Sequence, residues 1–453
     1  MVRDPVPSLE AFGPLPAATR ALRVGMIGIG TVGGGTFRVL ARNQRQIAAR
    51  AGRGIEVVAV AARDLQRAAR VVGPAVPVTA DPFELATDPA IDVVLEAAGG
   101  TGAARDWVLA AIAHGKHVVT ANKALLAVHG EQIFAAARAR GVAVAYEGAV
   151  AVSIPIVKAL REGLVANRIE WLAGIINGTS NFVLSRMRDE GLGFADALRE
   201  AQALGYAEAD PAFDVEGIDA AHKLTLLAAN AFGMPLRLAD VQVEGITALQ
   251  EADVRGAGQL GFRIKLLGVA RRTADGVELR VQPTLLPATH LLAQVDGAMN
   301  GVMVKGDAAG VTMYYGAGAG SEQTASAVIA DLVDLARLDG VPPAQQVPHL
   351  GVHPHATEAL PVLPHAASRG VRWVRVPLVA GQGLDALQAL LAEHGVPLRR
   401  AVWASATPVE APEALCLTEA MGQATLDDAL RALAAHPAVR GPIRALPVEM
   451  LDA

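Results

Sequence analysis

A glycine-rich turn near the start of the chain limits its fold more than any other feature. The apolar residues 23–27 lead directly into Gly28-Ile29-Gly30-Thr31-Val32-Gly33, and helix-forming residues follow. Gly28 permits a tight turn, Gly30 lets a pyrophosphate approach the backbone, and Gly33 allows close packing of helix on strand. A bare G-x-G-x-x-G also occurs in turns that bind nothing, but a preceding strand and a following helix favour dinucleotide binding.

Further strands are predicted at residues 55–62, 91–96, 117–120 and 142–146, with helical segments between them. Strands that alternate with helices form βαβ units and a parallel sheet. Ligands of such sheets bind outside the carboxyl ends of the strands. Segments 97–101 and 120–124 follow two of these ends, so Lys123 is predicted to lie near a bound nicotinamide. A solvated lysine at the start of a helix is the alternative interpretation.

The residues after the second strand bear on the choice of cofactor. An acidic residue there holds the ribose 2′-hydroxyl of NAD, whereas an arginine suits the 2′-phosphate of NADP. Arg63 and Asp64 therefore indicate opposite preferences. We expect NADP(H) to be preferred over NAD(H), because Arg63 comes first after the strand and Arg67 can reinforce it. An exposed loop arginine is the competing interpretation.

An acidic turn precedes a helix in the middle of the chain. Residues 205–217 run from glycine to glycine and carry four acidic side chains. In the helix that follows, Asp219 and Lys223 lie at i and i+4 on one face. Taken alone, such a pair is most often an ordinary ion pair on a helix surface.

The rest of the middle segment predicts an open mixed sheet of α+β character. Strands are expected at residues 168–176, 277–283, 301–306 and 311–315, with helices at 154–160, 182–187, 195–204 and 327–338. Residues 177–181 are polar and predict a turn. A second glycine-rich loop, residues 316–326, is either an anion-binding helix start near the cofactor or a plain linker.

Composition excludes several other classes of protein. The 453 residues carry a net charge of −5 without a basic block, so no nucleic-acid partner is expected. The sequence contains no run of about 18 uncharged apolar residues, so no membrane span is predicted. The single cysteine, Cys416, rules out an internal disulfide framework and predicts a cytoplasmic location. Residues 1–21 lack the pattern of a secretory signal and predict a disordered extension.

Six motifs together give the chain a family resemblance. They lie at residues 28–33, 121–125, 174–182, 205–223, 314–320 and 324–328, and the Asn177-Gly178-Thr179 and Gly205-Tyr206-x-Glu208-x-Asp210-Pro211 patterns are the most specific. Over residues 23–338 the chain resembles homoserine dehydrogenases. These enzymes interconvert L-aspartate 4-semialdehyde and L-homoserine with NAD(P)H, on the route to threonine, methionine and isoleucine. The resemblance also implies a homodimer or homotetramer.

The resemblance implies a role for each matching residue. Lys223 would be the proton donor to the carbonyl oxygen, and Lys123 would lie near the nicotinamide and the reacting carbon. The substrate-binding residues would be Glu208, Asp219, Asp214, Tyr206, Gly178 and Thr179. The cofactor contacts would be Gly28, Gly30, Thr31, Val32, Gly33, Arg63, Gly99, Thr120, Lys123, Gly205 and Gly320. A monovalent cation, usually sodium, would be bound at Glu147, Val150, Val152 and Ile154, mostly through backbone carbonyls. Val152-Ser153 replaces the small residues, often Gly-Gly, that are usual in this loop.

The C-terminal segment predicts a βαββαβ unit similar to an ACT domain, a regulatory module. Its usual Asp-x-Pro-Gly turn is replaced by Ala380-Gly381-Gln382-Gly383. Two roles therefore remain open for this domain: feedback regulation by threonine, or contacts between subunits without regulation. The predicted fold class is α/β, and the predicted organisation is as follows: an extension (1–21), a Rossmann-type NAD(P)-binding domain (22–146, closed by part of 316–340), a mixed-sheet catalytic and dimerisation domain (147–340), a linker (341–370) and the ACT-like domain (371–453).

Two alternatives compete with the interpretation as a homoserine dehydrogenase, and the histidine-rich linker raises the separate question of a metal site. An acylating semialdehyde dehydrogenase needs a nucleophilic cysteine, and Cys416 is far in sequence from the site motifs. A cofactor-binding sensor would not require Lys123, Asp219 and Lys223 together. A metal site built from His349, His353 and His355 lacks a supporting pattern of second ligands.

Overall fold

A computed structural model describes residues 20–405 and 410–451. Residues 1–19, and with them nearly all of the predicted extension, lie outside the described residues. The chain divides into two compact units. The first comprises the described residues up to Ser153 together with Gly320–His349, and the second comprises Ile154–Ala319 with the described residues from Leu350 onward.

Strands and helices alternate through most of the first unit, whereas long strands dominate the second. The strands are β1 (Leu22–Ile27), β2 (Ile55–Ala61), β3 (Val78–Thr79), β4 (Val93–Glu96), β5 (His117–Thr120), β6 (Val144–Ala145), β7 (Ile169–Ile175), β8 (Gln242–Val243), β9 (Phe262–Arg272), β10 (Val277–Pro287), β11 (Met299–Gly306), β12 (Gly310–Ala317), β13 (Arg369–Pro377), β14 (Leu398–Trp403), β15 (Glu413–Thr418), β16 (Met421–Gly422) and β17 (Arg444–Val448). The α-helices are α1 (Thr31–Arg42), α2 (Gln44–Ala51), α3 (Leu65–Val72), α4 (Pro82–Thr87), α5 (Ala103–Ala113), α6 (Lys123–Arg140), α7 (Ile156–Lys158), α8 (Gly178–Glu190), α9 (Phe194–Ala203), α10 (Ala212–Val215), α11 (Ile218–Phe232), α12 (Glu251–Gln259), α13 (Ser321–Arg337), α14 (Leu384–Glu393) and α15 (Gln423–Ala434). No helix among these is long and apolar enough to cross a membrane.

The first unit contains the predicted parallel sheet. Within the described residues it has six strands in the order β3-β2-β1-β4-β5-β6, all paired in parallel. Strands β4 and β5 are mostly apolar and largely buried, which is typical of a sheet covered by helices on both faces. The strand order reverses between β1 and β4, so the carboxyl ends of these two strands flank the crevice where such sheets bind ligands.

Helix α13, distant in sequence, completes the first unit by packing on α1. The hydroxyl of Ser321 donates to the carbonyl of Thr31 over 2.7 Å, and Arg42 forms a two-fold ion pair with Glu322 at 2.8–2.9 Å. A Cβ at Gly35 would lie 2.4 Å from the Ser321 hydroxyl, so only glycine permits this approach. The helix begins at Ser321 and not at residue 327, and the second glycine-rich loop therefore leads straight into a helix.

The second unit is built on one mixed sheet, as predicted for the middle segment. Among the described residues its main path is β12-β11-β7-β9-β10-β17-β13-β15-β14, with β8 on β10 and β16 on β13. The longest strands are β9 and β10, which pair in antiparallel register from end to end. The sequence interpretation missed β9, and it placed the end of β10 at residue 283 instead of Pro287.

The C-terminal segment has the predicted βαββαβ order, with β16 as an addition. Helices α14 and α15 cover a core that includes Leu391, Leu426 and Cys416. This segment shares a sheet with the middle segment, because β17 pairs with β10 in parallel and Glu449 donates its amide to Leu285. The two segments therefore form a single compact unit, whereas the sequence suggested two domains separated by a linker.

Two local predictions in the middle segment are wrong. Residues 177–181 do not form a turn, because α8 begins at Gly178 with Asn177 as its N-cap. The helix expected at 154–160 is limited to Ile156–Lys158 and continues as a π-helical turn over Ala159–Gly163.

Candidate active site

The glycine turn after β1 forms a cradle at the switch point of the parallel sheet. Gly28 adopts a φ of +96°, and a Cβ there would lie 2.8 Å from the backbone of Ala97. A Cβ at Gly33 would lie 2.1 Å from the carbonyl oxygen of Gly28. At Gly30, by contrast, a Cβ would meet nothing within 4 Å. Packing requires the first and third glycines, Gly28 and Gly33. The second glycine, Gly30, leaves open space in front of the first turn of α1, which begins with Thr31 and Val32.

A cleft of about 630 Å³ opens beside this cradle, within the first unit. Its wall includes Arg63, Arg67 and Trp107 as well as the loop of residues 97–100 after β4. The carboxylate of Asp64 accepts the amide of Arg67 at 2.9 Å and so caps α3. The two arginines are exposed beside the cleft, whereas Asp64 is engaged at the start of a helix.

Lys123 occupies the first position of α6, directly after the end of β5. Asn122 caps this helix by accepting the amide of Leu125 at 3.1 Å, and its Nδ2 donates to the carbonyl of Gly100 at 2.7 Å. The start of α6 is thus tied to the loop that lines the cleft. Thr120, the last residue of β5, is fully buried.

Asp219 and Lys223 lie in the second unit and form a buried ion pair. They are only 3% and 7% exposed, and the Lys223 ammonium is 2.7 Å from Asp219 Oδ2. Lys223 Nζ also donates to the carbonyl of Ile176 at 2.7 Å. The i, i+4 spacing alone favours an ion pair on the helix surface, but the pair in this chain is buried. Removing two charges from water is costly, and further hydrogen bonds offset part of this cost. Asp219 accepts from Asn177, and Lys223 donates to the carbonyl of Ile176.

Asn177 joins two of the acidic residues and was not among the predicted site residues. Its Nδ2 donates to Asp219 Oδ2 at 2.8 Å and to Asp214 Oδ1 at 2.7 Å, while its Oδ1 accepts the amide of Ser180 at 2.8 Å. An asparagine directly before Gly-Thr at the end of a strand is a helix N-cap pattern, and this signal could have identified its position.

The remaining predicted substrate residues surround the start of α8. Thr179 donates its hydroxyl to the carbonyl of Tyr206 at 2.7 Å, and the Tyr206 ring lies 4.9 Å from that of Phe182. Tyr206 is 48% exposed, and Glu208 is also exposed. A Cβ at Gly178 would lie 2.7 Å from the carbonyl of Ala298, so close packing of a loop requires this glycine.

The other predicted contacts are distributed over both units. In the first unit, Gly320 precedes α13 with a φ of +139°, and Glu147 and Val150 are buried next to Ala151, which has a φ of +53°. In the second unit, Gly205 is exposed with a φ of +76°, and the carbonyl of Ile154 accepts the amide of Ile156.

The histidine-rich segment shows no metal site in the described part of the chain. No group of three or more His, Cys, Asp or Glu side chains is placed there to hold a metal ion. The ring of His349 stacks on Phe134 at 5.2 Å, and those of His353 and His355 stack on each other at 5.7 Å.

Comparison with known proteins agrees with these observations. A family model described as "Homoserine dehydrogenase" matches residues 155–333, and one described as "Homoserine dehydrogenase, NAD binding domain" matches residues 28–147. The chain is 53% identical to a homoserine dehydrogenase of Pseudomonas aeruginosa and 48% identical to one of Neisseria gonorrhoeae; the alignments cover 96% and 95% of this chain and 100% and 99% of those proteins. It is similar to the crystal structure of a homoserine dehydrogenase from Thiobacillus denitrificans, with 52% identity, a TM-score of 0.91, and coverage of 96% of this chain and 99% of that one.

The parallel sheet, its glycine cradle and the cleft beside it define an oxidoreductase that uses a nicotinamide cofactor. The acidic turn and the α11 helix carry the motifs of one family of these enzymes. The chain belongs to the homoserine dehydrogenase family. Its reaction is the NAD(P)-linked, reversible reduction of L-aspartate 4-semialdehyde to L-homoserine.

Proposed function

We propose that Lys223 donates the proton to the carbonyl oxygen when L-aspartate 4-semialdehyde is reduced. The observation that carries this role is the burial of its ammonium between Asp219 and the carbonyl of Ile176. The nicotinamide, when bound, supplies the hydride to the aldehyde carbon. Negative charge then develops on the oxygen, and a fixed ammonium stabilises it and protonates it. In the reverse direction the neutral amine of Lys223 accepts the proton of the homoserine hydroxyl.

The acidic residues around α11 are proposed to bind the amino group of the substrate. Asp214 and Asp219 are held together by the side chain of Asn177, which supports a concentrated negative charge at this point. A carboxylate forms its strongest hydrogen bonds with a charged donor such as a substrate ammonium. Glu208 is proposed to add a third carboxylate. Gly178, Thr179 and Tyr206 are proposed to line the substrate pocket.

Lys123 is proposed to lie near the nicotinamide and the reacting carbon. Its position after the end of β5 and the capping of its helix by Asn122 support this role. Gly99 and Thr120 are proposed as cofactor contacts because they belong to the same two strand ends. Gly205 and Gly320 are proposed as further contacts on the basis of the family motifs alone.

NADP(H) is proposed as the preferred cofactor, with the 2′-phosphate bound by Arg63 and Arg67. Both side chains line the cleft, and Asp64 is already engaged as the cap of α3. Arg63→Ala should raise the Kd for NADPH at least tenfold and leave the Kd for NADH within twofold. Arg70→Ala is the matched control, because Arg70 lies on the adjoining helix α3 but does not line the cleft. An unchanged Kd for NADPH in Arg63→Ala would refute the preference.

A monovalent cation, sodium, is proposed to bind backbone carbonyls of the loop that contains Glu147, Val150 and Val152. Carbonyl oxygens are suitable ligands for a hard cation, and the left-handed conformation of Ala151 redirects the backbone between Val150 and Val152. The family resemblance adds the carbonyl of Ile154. Activity in sodium chloride should exceed activity in choline chloride at equal ionic strength. Equal rates in the two salts would contradict this proposal.

The test of the Lys223 role is NADPH oxidation with L-aspartate 4-semialdehyde. Lys223→Ala should lower kcat by a factor of about 10²–10⁴, the usual contribution of a general acid. Lys305→Ala is the matched control, because Lys305 lies on β11 and pairs with Glu170 at 3.6 Å. Full activity of Lys223→Ala would refute the assignment.

Assembly, location and regulation complete the proposal. The chain is proposed to form a homodimer or homotetramer, and the edge strand β12 with its 59% exposed Tyr315 supports pairing between copies. Light scattering on the purified enzyme tests this directly.

A cytoplasmic location is proposed from the single cysteine. For the ACT-like segment, inhibition by added threonine would assign feedback, and its absence would leave assembly as the proposed role.

A further inference from the structure

A buried carboxylate connects the two strand ends that face the nicotinamide cleft. Glu96 is the last residue of β4 and is 0% exposed. Its Oε1 accepts the amides of Ala98 and Gly99, each at 2.9 Å. Its Oε2 accepts the hydroxyl of Thr120 at 2.6 Å, and Thr120 is its direct neighbour on β5.

The hydrogen bonds continue from Thr120 into α6 and return to the loop. The amide of Asn122 donates to the Thr120 hydroxyl oxygen at 3.0 Å, and the Asn122 side chain donates to the carbonyl of Gly100 at 2.7 Å. The loop after β4 is thus held from both sides, at Ala98 and Gly99 by Glu96 and at Gly100 by Asn122. Lys123 is the next residue along the chain.

Three donors surround the carboxyl group of Glu96. Two of them are backbone N–H groups, and the third is the Thr120 hydroxyl, whose oxygen in turn accepts the Asn122 amide. Glu96 therefore acts as an acceptor toward all three groups. A buried polar group needs such partners to offset its loss of contact with water.

The loop held by Glu96 has a backbone that requires such support. Gly99 and Gly100 adopt φ values of +77° and +81°, and neither would meet an obstacle if it carried a Cβ. The hydrogen bonds of Glu96 and Asn122 hold the backbone in this conformation. The same residues line the cleft beside the glycine cradle.

We propose that Glu96 is a positioning residue for hydride transfer, which holds the loop of residues 97–100 and the start of α6 in the arrangement that the reaction needs. The inference rests on the proposed place of Lys123 near the reacting carbon. Small errors in the placement of reacting groups cost up to about 10²-fold in rate. Glu96 would act through Thr120 and Asn122 and would not touch the substrate.

The experiment compares Glu96→Gln, Thr120→Val and their double variant with Glu56→Gln, which changes an exposed carboxylate on β2. Each of the first three should lower kcat for homoserine oxidation by a factor of about 10 to 100, with the KM for homoserine within twofold of wild type. The double variant should be no worse than the more impaired single variant, because both break one network. Glu56→Gln is the matched control and should retain the rate.

A second measurement needs no bound cofactor. Hydrogen exchange at the amides of Ala98 and Gly99 in the free enzyme should be at least about tenfold faster in Glu96→Gln than in Glu56→Gln, because glutamine has one acceptor oxygen where the carboxyl group of Glu96 uses two. Unchanged exchange, or a kcat within twofold of wild type in both Glu96→Gln and Thr120→Val, would overturn the inference. Failure of the proposed place of Lys123 near the reacting carbon would instead appear as a Lys123→Ala variant that keeps the kcat of wild type.

Discussion

Removing the charge of Lys223 should have separate effects on stability and on catalysis. Lys223→Met leaves the carboxylate of Asp219 buried at 3% exposure without its ammonium. Breaking a buried ion pair by removing one partner typically costs about 3–5 kcal/mol. Because Asn177 still donates to Asp219, we expect a loss in the free energy of unfolding near the lower limit, about 3 kcal/mol.

The double variant Lys223→Met/Asp219→Leu separates the two effects. It removes both charges, and the chief remaining defect is the carbonyl of Ile176, which loses its donor. An unsatisfied buried acceptor costs about 1–3 kcal/mol. The double variant should therefore be more stable than Lys223→Met, although it has one more substitution. Its kcat/KM should stay at least about 10²-fold below wild type, since the proposed general acid is absent.

Urea unfolding followed by circular dichroism measures the first effect, and NADPH oxidation with L-aspartate 4-semialdehyde measures the second. Binding of NADPH to each variant, followed by fluorescence, shows that the first unit is intact. If activity returned together with stability in the double variant, Lys223 would serve folding and not proton transfer. If the double variant were less stable than Lys223→Met, the reasoning about an uncompensated carboxylate would be wrong.

Three further predictions concern groups outside the substrate site. Burial lowers the pKa of Lys265 to about 8, so the unfolded chain binds one more proton between about pH 8 and pH 10.4. The stability of wild type relative to Lys265→Met should rise with pH across this window in urea titrations, and a flat difference would contradict the shift. Burial raises the pKa of the Cys416 thiol to about 12, so iodoacetamide should neither label nor inactivate the folded enzyme at neutral pH, and rapid labelling would show that the site is open. Gly35→Ala should lower the free energy of unfolding by about 1–3 kcal/mol, because its Cβ would lie 2.4 Å from the Ser321 hydroxyl; an unchanged urea midpoint would show that α1 and α13 separate at low cost.

The parallel sheet could be predicted because its signals are local. Continuous apolar runs mark fully buried strands, and the glycine spacing marks the turn between β1 and α1. The mixed sheet was only partly predictable. Strand β9 carries Arg263 and Lys265 within an apolar run and ends in Arg271-Arg272, so no clean alternation identifies it. The partners that make these charges acceptable, such as Asp296 and Glu449, are distant in sequence.

The candidate site shows the same division between local and distant causes. That Asp219 and Lys223 meet follows from helical geometry. That they are buried follows from the packing of α11 on the sheet, where Leu224 lies against Gly268 of β9. The sequence interpretation had not assigned β9, so the burial of the pair could not be derived. Asn177 was misinterpreted as part of a turn because capping and turn formation favour the same residue types.

The pairing of β17 with β10 affects how the enzyme is made. Strand β10 is synthesised long before β17, the last strand described. Strand β8 pairs with β10 at Arg280 and Val281, whereas the edge of β10 at Leu285 stays unpaired until β17 leaves the ribosome. During that interval Arg271 and Arg280 lack Glu449, the carboxylate that they share in the folded unit. A sheet edge with charged side chains pointing inward resists pairing with other chains. The same arginines that complete the fold would thus discourage aggregation of the nascent chain before their partner arrives.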